Sequence, residues 1–147
     1  MAGKTLAHLA AIALGVAYLV AGVVGFFYTG FSGVTESNGP KVIGLLSVNP
    51  FHNVVHLAIG AGLLLAGLKA TSVVTEGLLL GVGSIYVVAA ICGFIYAHIP
   101  VISDVSSGAP DNYLHAISGI TAILAAVASA SLSKPAGGTT PAGAIAR

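Results

Sequence analysis

Four apolar stretches separated by short polar segments set the hydrophobic pattern of this chain. They cover approximately residues 5–28, 51–68, 77–99 and 113–132. Because about 20 mostly apolar residues form a helix long enough to cross a bilayer, each stretch is predicted to be a membrane-spanning helix. The tight connection between the second and third stretches makes them an antiparallel hairpin, and Thr71 or Ser72 in this connection is predicted to cap the third helix. The predicted fold class is therefore all-α, an integral membrane four-helix bundle.

Composition supports a membrane protein and excludes several other classes. Of the 147 residues, 56% are hydrophobic and 6% are charged, whereas soluble domains carry about 25% charged residues. A soluble enzyme, a disordered protein and a basic nucleic-acid-binding protein are excluded, so the expected partner is the lipid bilayer and not nucleic acid. The single cysteine, Cys92, excludes a disulfide framework within one chain.

The few cations predict how the bundle is oriented in the membrane. Four spans place both termini on one side, and Lys4, Lys69, Lys134 and Arg147 fall on that side, whereas only Lys41 falls on the other. Since positively charged loops tend to stay in the cytoplasm, both termini are predicted to be cytoplasmic.

The chain contains an internal repeat. Residues 15–28 align without gaps with residues 83–96, and seven of the fourteen positions are identical. A second match follows in the same order, because residues 52–60 and 111–119 share the pattern [His/Asp]-Asn-x-[Val/Leu]-His-x-x-x-Gly. Two spans per copy insert both copies in the same sense, which predicts parallel-repeat helical hairpins related by a pseudo-twofold axis along the membrane normal.

These observations predict one membrane domain followed by a tail. The domain covers residues 1–132, with the first repeat at about 5–68 and the second at about 73–132. Residues 133–147, rich in Pro, Gly, Thr and Ala, are predicted to be a flexible end. The mostly apolar segment 42–48 is expected to pack over the outer mouth of the bundle or to lie in the membrane interface.

The repeated polar motif places a set of polar side chains at the predicted extracytoplasmic end, comprising His52, Asn53, His56, Asp111, Asn112 and His115. Residues four apart share one face of a helix. His56 therefore lies in line with Gly60, and His115 with Gly119. Because small residues mark close helix approach in membranes, both histidines are predicted to face the bundle interior.

Three interpretations of this cluster remain open. In the favoured one, the histidines and asparagines are structural and satisfy polar groups between helices. In the second, His56 and His115 are axial ligands of haem b, and Asn53 with Asn112 or Asp111 accepts hydrogen bonds from the outer ring nitrogens. In the third, a metal site for zinc or copper uses the ligands His52, His56, His115 and Asp111.

Two segments also resemble a known family. Residues 49–56, followed by an apolar glycine-rich helix, and residues 111–115 resemble an uncharacterised family of small four-helix bacterial membrane proteins with His-Asn-Leu-Val-His-like and Asp-Asn-Trp-Leu-His-like motifs. Here Val54 replaces the usual leucine and Tyr113 the usual tryptophan. The resemblance implies the fold and a location in the bacterial inner membrane, but no activity. A more distant similarity to DoxX-like proteins rests on architecture alone.

The predicted function is not enzymatic. The sequence has no nucleophile elbow, no phosphate-binding loop and no pair of carboxylates at helical spacing. A structural or accessory subunit of a membrane assembly is favoured, with a possible homo-oligomer or larger complex as its setting. The alternatives are a haem- or metal-binding membrane protein and, in an oligomer, a carrier of a small molecule or of protons.

Overall fold

Four long helices and one short β-hairpin make up the fold. The structure, a computed structural model, describes residues 3–37, 39–96 and 108–133. The elements in chain order are α1 (Leu6–Thr29), β1 (Lys41–Val42), β2 (Leu46–Ser47), α2 (Pro50–Lys69), α3 (Ser72–Ile95) and α4 (Pro110–Leu132). Each helix is long and apolar enough to cross a membrane, with an 18-residue window of mean hydropathy 1.6 or higher. The predicted all-α membrane bundle is confirmed.

The helix boundaries follow capping residues more closely than hydropathy. α3 begins at Ser72, five residues before the apolar stretch at 77, because Thr71, one of the two predicted caps, accepts a hydrogen bond at its hydroxyl from the Val74 backbone N–H at 3.4 Å. The polar side chain of Thr75 is accommodated in the first turn because its hydroxyl donates a hydrogen bond to the Thr71 carbonyl at 2.9 Å. The predicted end of this span at residues 97–99 lies outside the described residues, as do tail residues 134–147.

Each helical hairpin closes at a pair of facing glycines. A Cβ atom added to Gly15 of α1 would lie 2.9 Å from the carbonyl oxygen of Gly60 in α2. A Cβ atom added to Gly119 of α4 would lie 2.8 Å from the carbonyl oxygen of Gly83 in α3. The two backbones of each hairpin are therefore in direct contact, as small residues permit in membranes.

The two predicted repeats bury equivalent positions. Buried residues of α1 have buried counterparts 68 positions later in α3, namely Gly15 and Gly83, Tyr18 and Tyr86, and Gly25 and Gly93. Buried residues of α2 have buried counterparts 59 positions later in α4, namely His52 and Asp111, Asn53 and Asn112, and Gly60 and Gly119.

Packing between the hairpins is sparser than packing within them. The α1–α2 and α3–α4 contacts are far more extensive than those of α1 with α4 or of α2 with α3. At the centre, the rings of Tyr18 and Tyr86 stack with their centroids 5.0 Å apart and their planes at 15°. The seams α1–α4 and α2–α3 therefore leave room at the level of the polar cluster.

Polar side chains also form hydrogen bonds between helices at the opposite end of the bundle. The Lys4 ammonium donates to the Gly67 carbonyl at 2.7 Å, which satisfies the carbonyl end of α2. His8 Nε2 lies 3.1 Å from the Ala70 carbonyl oxygen. In the second hairpin, the Ser129 hydroxyl donates to the Glu76 carboxylate at 2.7 Å. His8 thus has a local structural role, far from the other histidines described.

The glycine crossings lead to a stability prediction. We expect Gly60→Ala and Gly119→Ala each to lower the free energy of unfolding by about 1–3 kcal/mol, because the added methyl group would force the backbones apart. Gly62→Ala is the matched control in the same helix, since its Cβ would meet nothing within 4 Å. Unfolding in mixed detergent micelles measures the difference, and equal stability of the three variants would contradict close backbone contact.

Candidate functional site

Three histidines meet inside the bundle near the start of α2 and α4. His52 and His56 come from α2 and His115 from α4, and one ring nitrogen of each lies within 4.8 Å of the others. The Nε2 atoms of His52 and His56 are 2.7 Å apart. His52 and His115 are each only 7% exposed, and their ring centroids are 5.9 Å apart. We call these residues the three-histidine cluster.

The start of α2 places two of these rings side by side. Asn49 caps the helix through its side-chain oxygen, which accepts from the His52 backbone N–H at 2.8 Å, and Pro50 occupies the first helical position. Because positions four apart lie one turn above each other, His52 and His56 project from the same face. α4 likewise begins with Pro110, which brings His115 to a similar depth.

Two stacked tyrosines lie against the histidine rings. The Tyr18 ring meets the His56 ring edge-on, with the centroids 5.5 Å apart and the planes at 84°. The Tyr86 ring meets the His115 ring in the same way, at 5.1 Å and 72°. Sequence reasoning assigned no role to this pair, although both tyrosines are identical positions of the aligned repeat. The sequence feature that indicates a role for them is a tyrosine, with a polar hydroxyl, at the same position within the apolar span of both repeats.

The two motif asparagines lie in the helix contacts of each hairpin. Asn53 donates from Nδ2 to the Thr29 hydroxyl at 2.9 Å, and its amide fills the space beside Gly25, where a Cβ atom would overlap it. Asn112 fills the equivalent space beside Gly93. These contacts join α1 to α2 and α3 to α4, so the amides serve helix packing.

Asp111 connects α4 to the β-hairpin. Its carboxylate accepts a hydrogen bond from the Ser47 backbone N–H at 3.0 Å, and the side chain is 4% exposed. Although Asp111 lines a cavity beside the histidines, it is not one of the three residues whose ligand atoms lie within 4.8 Å of one another. Residues 42–48 thus pack over the mouth of the bundle, one of the two placements that the sequence predicts.

Two cavities flank the three-histidine cluster on opposite sides. The cavity between α2 and α3 has a volume of about 150 Å³, and apart from the cluster and Tyr86 its walls are Phe51, Val55, Ile59, Ile85 and Ala89. The cavity between α1 and α4, which extends under the β-hairpin, has a volume of about 240 Å³ and includes Ala21 and Asp111 in its walls. Ala21 and Ala89 are equivalent positions of the repeat, 68 residues apart.

The chemistry of the cluster is that of nitrogen donors in an apolar environment. Neutral imidazole suits zinc and copper, whereas magnesium and calcium prefer oxygen ligands. The Nδ1 atom of His56 is buried and has no hydrogen-bond partner within residues 3–37, 39–96 and 108–133. Such an atom is costly in a membrane interior unless another group binds there.

A comparison with known protein families matches residues 8–128 to a domain of unknown function, DUF4383. The chain belongs to this family. The resemblance to an uncharacterised family is thereby confirmed, but the match gives no support to the more distant DoxX-like similarity. No curated protein and no solved structure matches the chain. For this DUF4383 chain, the geometry of the site is therefore the guide to its function.

The contact of Asp111 leads to a second prediction. We expect Asp111→Ala to speed hydrogen exchange at the Ser47 amide by about 10- to 100-fold, because a hydrogen bond to a charged acceptor contributes about 1.5–3 kcal/mol. Asp111→Asn keeps an oxygen acceptor and should change exchange much less. Exchange measured over residues 41–48 distinguishes the variants, and unchanged exchange in Asp111→Ala would show that the hairpin is held by other contacts.

Proposed function

We propose that this membrane protein binds one transition-metal ion, zinc or copper, through His52, His56 and His115. The observation that carries the proposal is the convergence of three imidazole nitrogens within 4.8 Å, from two buried histidines and the half-buried His56. Three histidines are a known ligand set for zinc. The proposed role is that of a binding protein and not of an enzyme.

The spacing of the ring nitrogens supports an ion site. A zinc–nitrogen bond of 2.0–2.1 Å in tetrahedral geometry separates two ligand nitrogens by about 3.3 Å. The Nε2 atoms of His52 and His56 are 2.7 Å apart, so a small rotation of one imidazole would open the space that an ion needs. The other separations are at most 4.8 Å, so they would contract by up to about 1.5 Å to reach the same spacing.

Haem b receives less support from the same geometry. Axial ligation by His56 and His115 requires a flat macrocycle between the two rings, but His52 lies against His56 at hydrogen-bond distance. The cavity between α2 and α3 is about 150 Å³, and a cavity of that volume holds a molecule such as benzene. A porphyrin would need a much larger separation of the hairpins.

A structural or accessory role is the second candidate function. The fit of Asn53 against Gly25 and of Asn112 against Gly93 favours it, because these polar side chains hold the helices of each hairpin together. What favours an ion site over a packing role for the histidines is the convergence of three imidazole nitrogens. The His56 Nδ1 atom has no partner among the described residues, and an ion bound through Nε2 would leave it so. An oligomer or a larger assembly is compatible with either role.

Metal content tests the proposal. We expect the protein, purified in mild detergent and loaded with zinc or copper, to retain about one ion per chain after desalting. His52→Ala, His56→Ala and His115→Ala should each lower retention at least tenfold, because removing a ligand from a three-ligand site leaves too few donors. His8→Ala is the matched control, since His8 contacts Thr5 and Ala70 instead.

Further measurements separate the candidate functions. Asp111→Asn should retain the ion, because the carboxylate lies outside the three-histidine cluster, whereas loss of the ion would assign Asp111 as a ligand. A Soret absorption band abolished by His56→Ala would establish haem instead. If the folded protein retains no ion and the histidine variants differ only in thermal stability, the structural role is correct.

We also propose that the protein lies in a bacterial inner membrane with both termini in the cytoplasm, which places the cluster in the extracytoplasmic half. The charge distribution supports this orientation. In a Cys92→Ala background, Leu45→Cys in the exposed tip of the β-hairpin should react with a membrane-impermeant maleimide added to spheroplasts. Reaction only after the spheroplasts are lysed would reverse the orientation.

A further inference from the structure

We infer that the ion-loaded site keeps one coordination position open towards the α2–α3 cavity, and that this position binds the ionised oxygen of a lipid-soluble phenol. The inference rests on the proposed metal function, since it requires the ion held by His52, His56 and His115. It goes beyond that function by naming the chemical class of ligand and the side of the bundle from which it arrives.

The open position follows from the ligands that the chain offers. Zinc and copper(II) take at least four ligands, and within the described residues three side chains of the His, Cys, Asp and Glu types form one group. Among the other side chains beside the cluster, Tyr18 and Tyr86 pack their rings against His56 and His115, and the nearest carboxylate and amide have other partners. Asp111 accepts from the Ser47 N–H, and Asn53 donates to Thr29. Sites with three protein ligands bind a water molecule or a substrate in the fourth position.

The charge of the site favours an anionic fourth ligand. Three neutral imidazoles leave both charges of a divalent ion unbalanced, and in an apolar interior such charge is costly. Asp111 lines the α1–α4 cavity and balances at most one of them from that side. The walls of the α2–α3 cavity contain no carboxyl group. An anionic oxygen entering from the α2–α3 side would balance the other charge.

The shape and walls of the α2–α3 cavity favour an aromatic ligand. Its volume of about 150 Å³ matches that of an apolar cavity that binds benzene. Away from the histidines, the walls are formed by aliphatic and aromatic side chains, including the ring of Phe51. A phenol places its ring against these walls and its single oxygen towards the ion.

The route to this cavity runs from the bilayer. Ile85 and Phe51 line the cavity and are 62% and 41% exposed on the surface of the bundle. Both lie in helices long and apolar enough to cross a membrane, Ile85 within α3 and Phe51 in the first turn of α2, so in a bilayer their exposed surface would face lipid. A ligand that enters between them must dissolve in the membrane. On binding, the phenol O–H bond would break, its oxygen would replace the water molecule in the fourth position, and the water and the phenol proton would leave to the solvent.

Cobalt(II) provides a spectroscopic test, because its visible absorption reports the number and type of its ligands. Protein loaded with cobalt(II) in detergent micelles is titrated with 4-pentylphenol. We expect the cobalt bands to shift and saturate, with about one proton released per phenol bound. Pentylbenzene, which has the same apolar body and no oxygen, should leave the cobalt spectrum unchanged.

The pseudo-symmetric cavity supplies a matched control. Ala89→Phe fills the α2–α3 cavity and should weaken the phenol response at least tenfold while cobalt remains bound. Ala21→Phe places the same side chain at the equivalent position of the α1–α4 cavity and should leave the phenol response intact. Retained cobalt absorption in both variants shows that they are folded and that the ion site is formed.

The outcomes separate this inference from the proposed function. If cobalt fails to bind through the three histidines, the metal function itself is wrong. If cobalt binds but 4-pentylphenol does not change its spectrum, only the ligand inference is wrong. A response to decanoic acid or decanethiol at lower concentration than to the phenol would overturn the ligand class. A response lost in Ala21→Phe and kept in Ala89→Phe would overturn the choice of cavity.

Discussion

Direct backbone contact between helices at two glycine pairs is the constraint on which the rest of the structure depends. Gly15 meets Gly60 in the first hairpin, and Gly83 meets Gly119 in the second. In a bilayer, helices gain little from hiding apolar side chains from lipid, so van der Waals packing of close backbones has to hold them together. These contacts fix the register of each hairpin and set the depth of the histidines one turn away.

Tight hairpins and looser seams together create the site. The strongest packing lies within α1–α2 and within α3–α4, whereas the two hairpins meet mainly through central side chains such as Tyr18 and Tyr86. The cavities lie along these seams and both reach the three-histidine cluster. Rigid hairpins hold the imidazoles in place, and the space between hairpins leaves room for an ion and a ligand. A uniformly packed bundle would have no such space.

Most of the fold could be predicted from the sequence because membrane spans follow length and hydropathy. The apolar stretch at residue 77 begins five residues after α3 does, because polar Thr75 and Glu76 interrupt the apolar pattern although their side chains bond within the bundle, whereas the predicted cap at Thr71 or Ser72 gives the start of α3. The inward direction of His56 and His115 also followed from helical spacing. The stacking of Tyr18 on Tyr86 and the bond of Asp111 to the β-hairpin depend on how the hairpins approach each other, which periodicity within one helix does not encode.

The departure from repeat symmetry at one position gives the cluster its composition. Positions 56 and 115 are equivalent and both carry histidine, whereas the equivalent positions 52 and 111 carry histidine and aspartate. Strict repetition would give either two opposed histidines or four. Position 111 carries an aspartate, whose carboxylate accepts a hydrogen bond from the Ser47 backbone N–H. α4 therefore contributes one imidazole to the three-histidine cluster, whereas α2 contributes two. Three nitrogen donors with a carboxylate on one side form an unsymmetrical environment, because the walls of the α1–α4 cavity include the Asp111 carboxylate whereas those of the α2–α3 cavity include no carboxyl group.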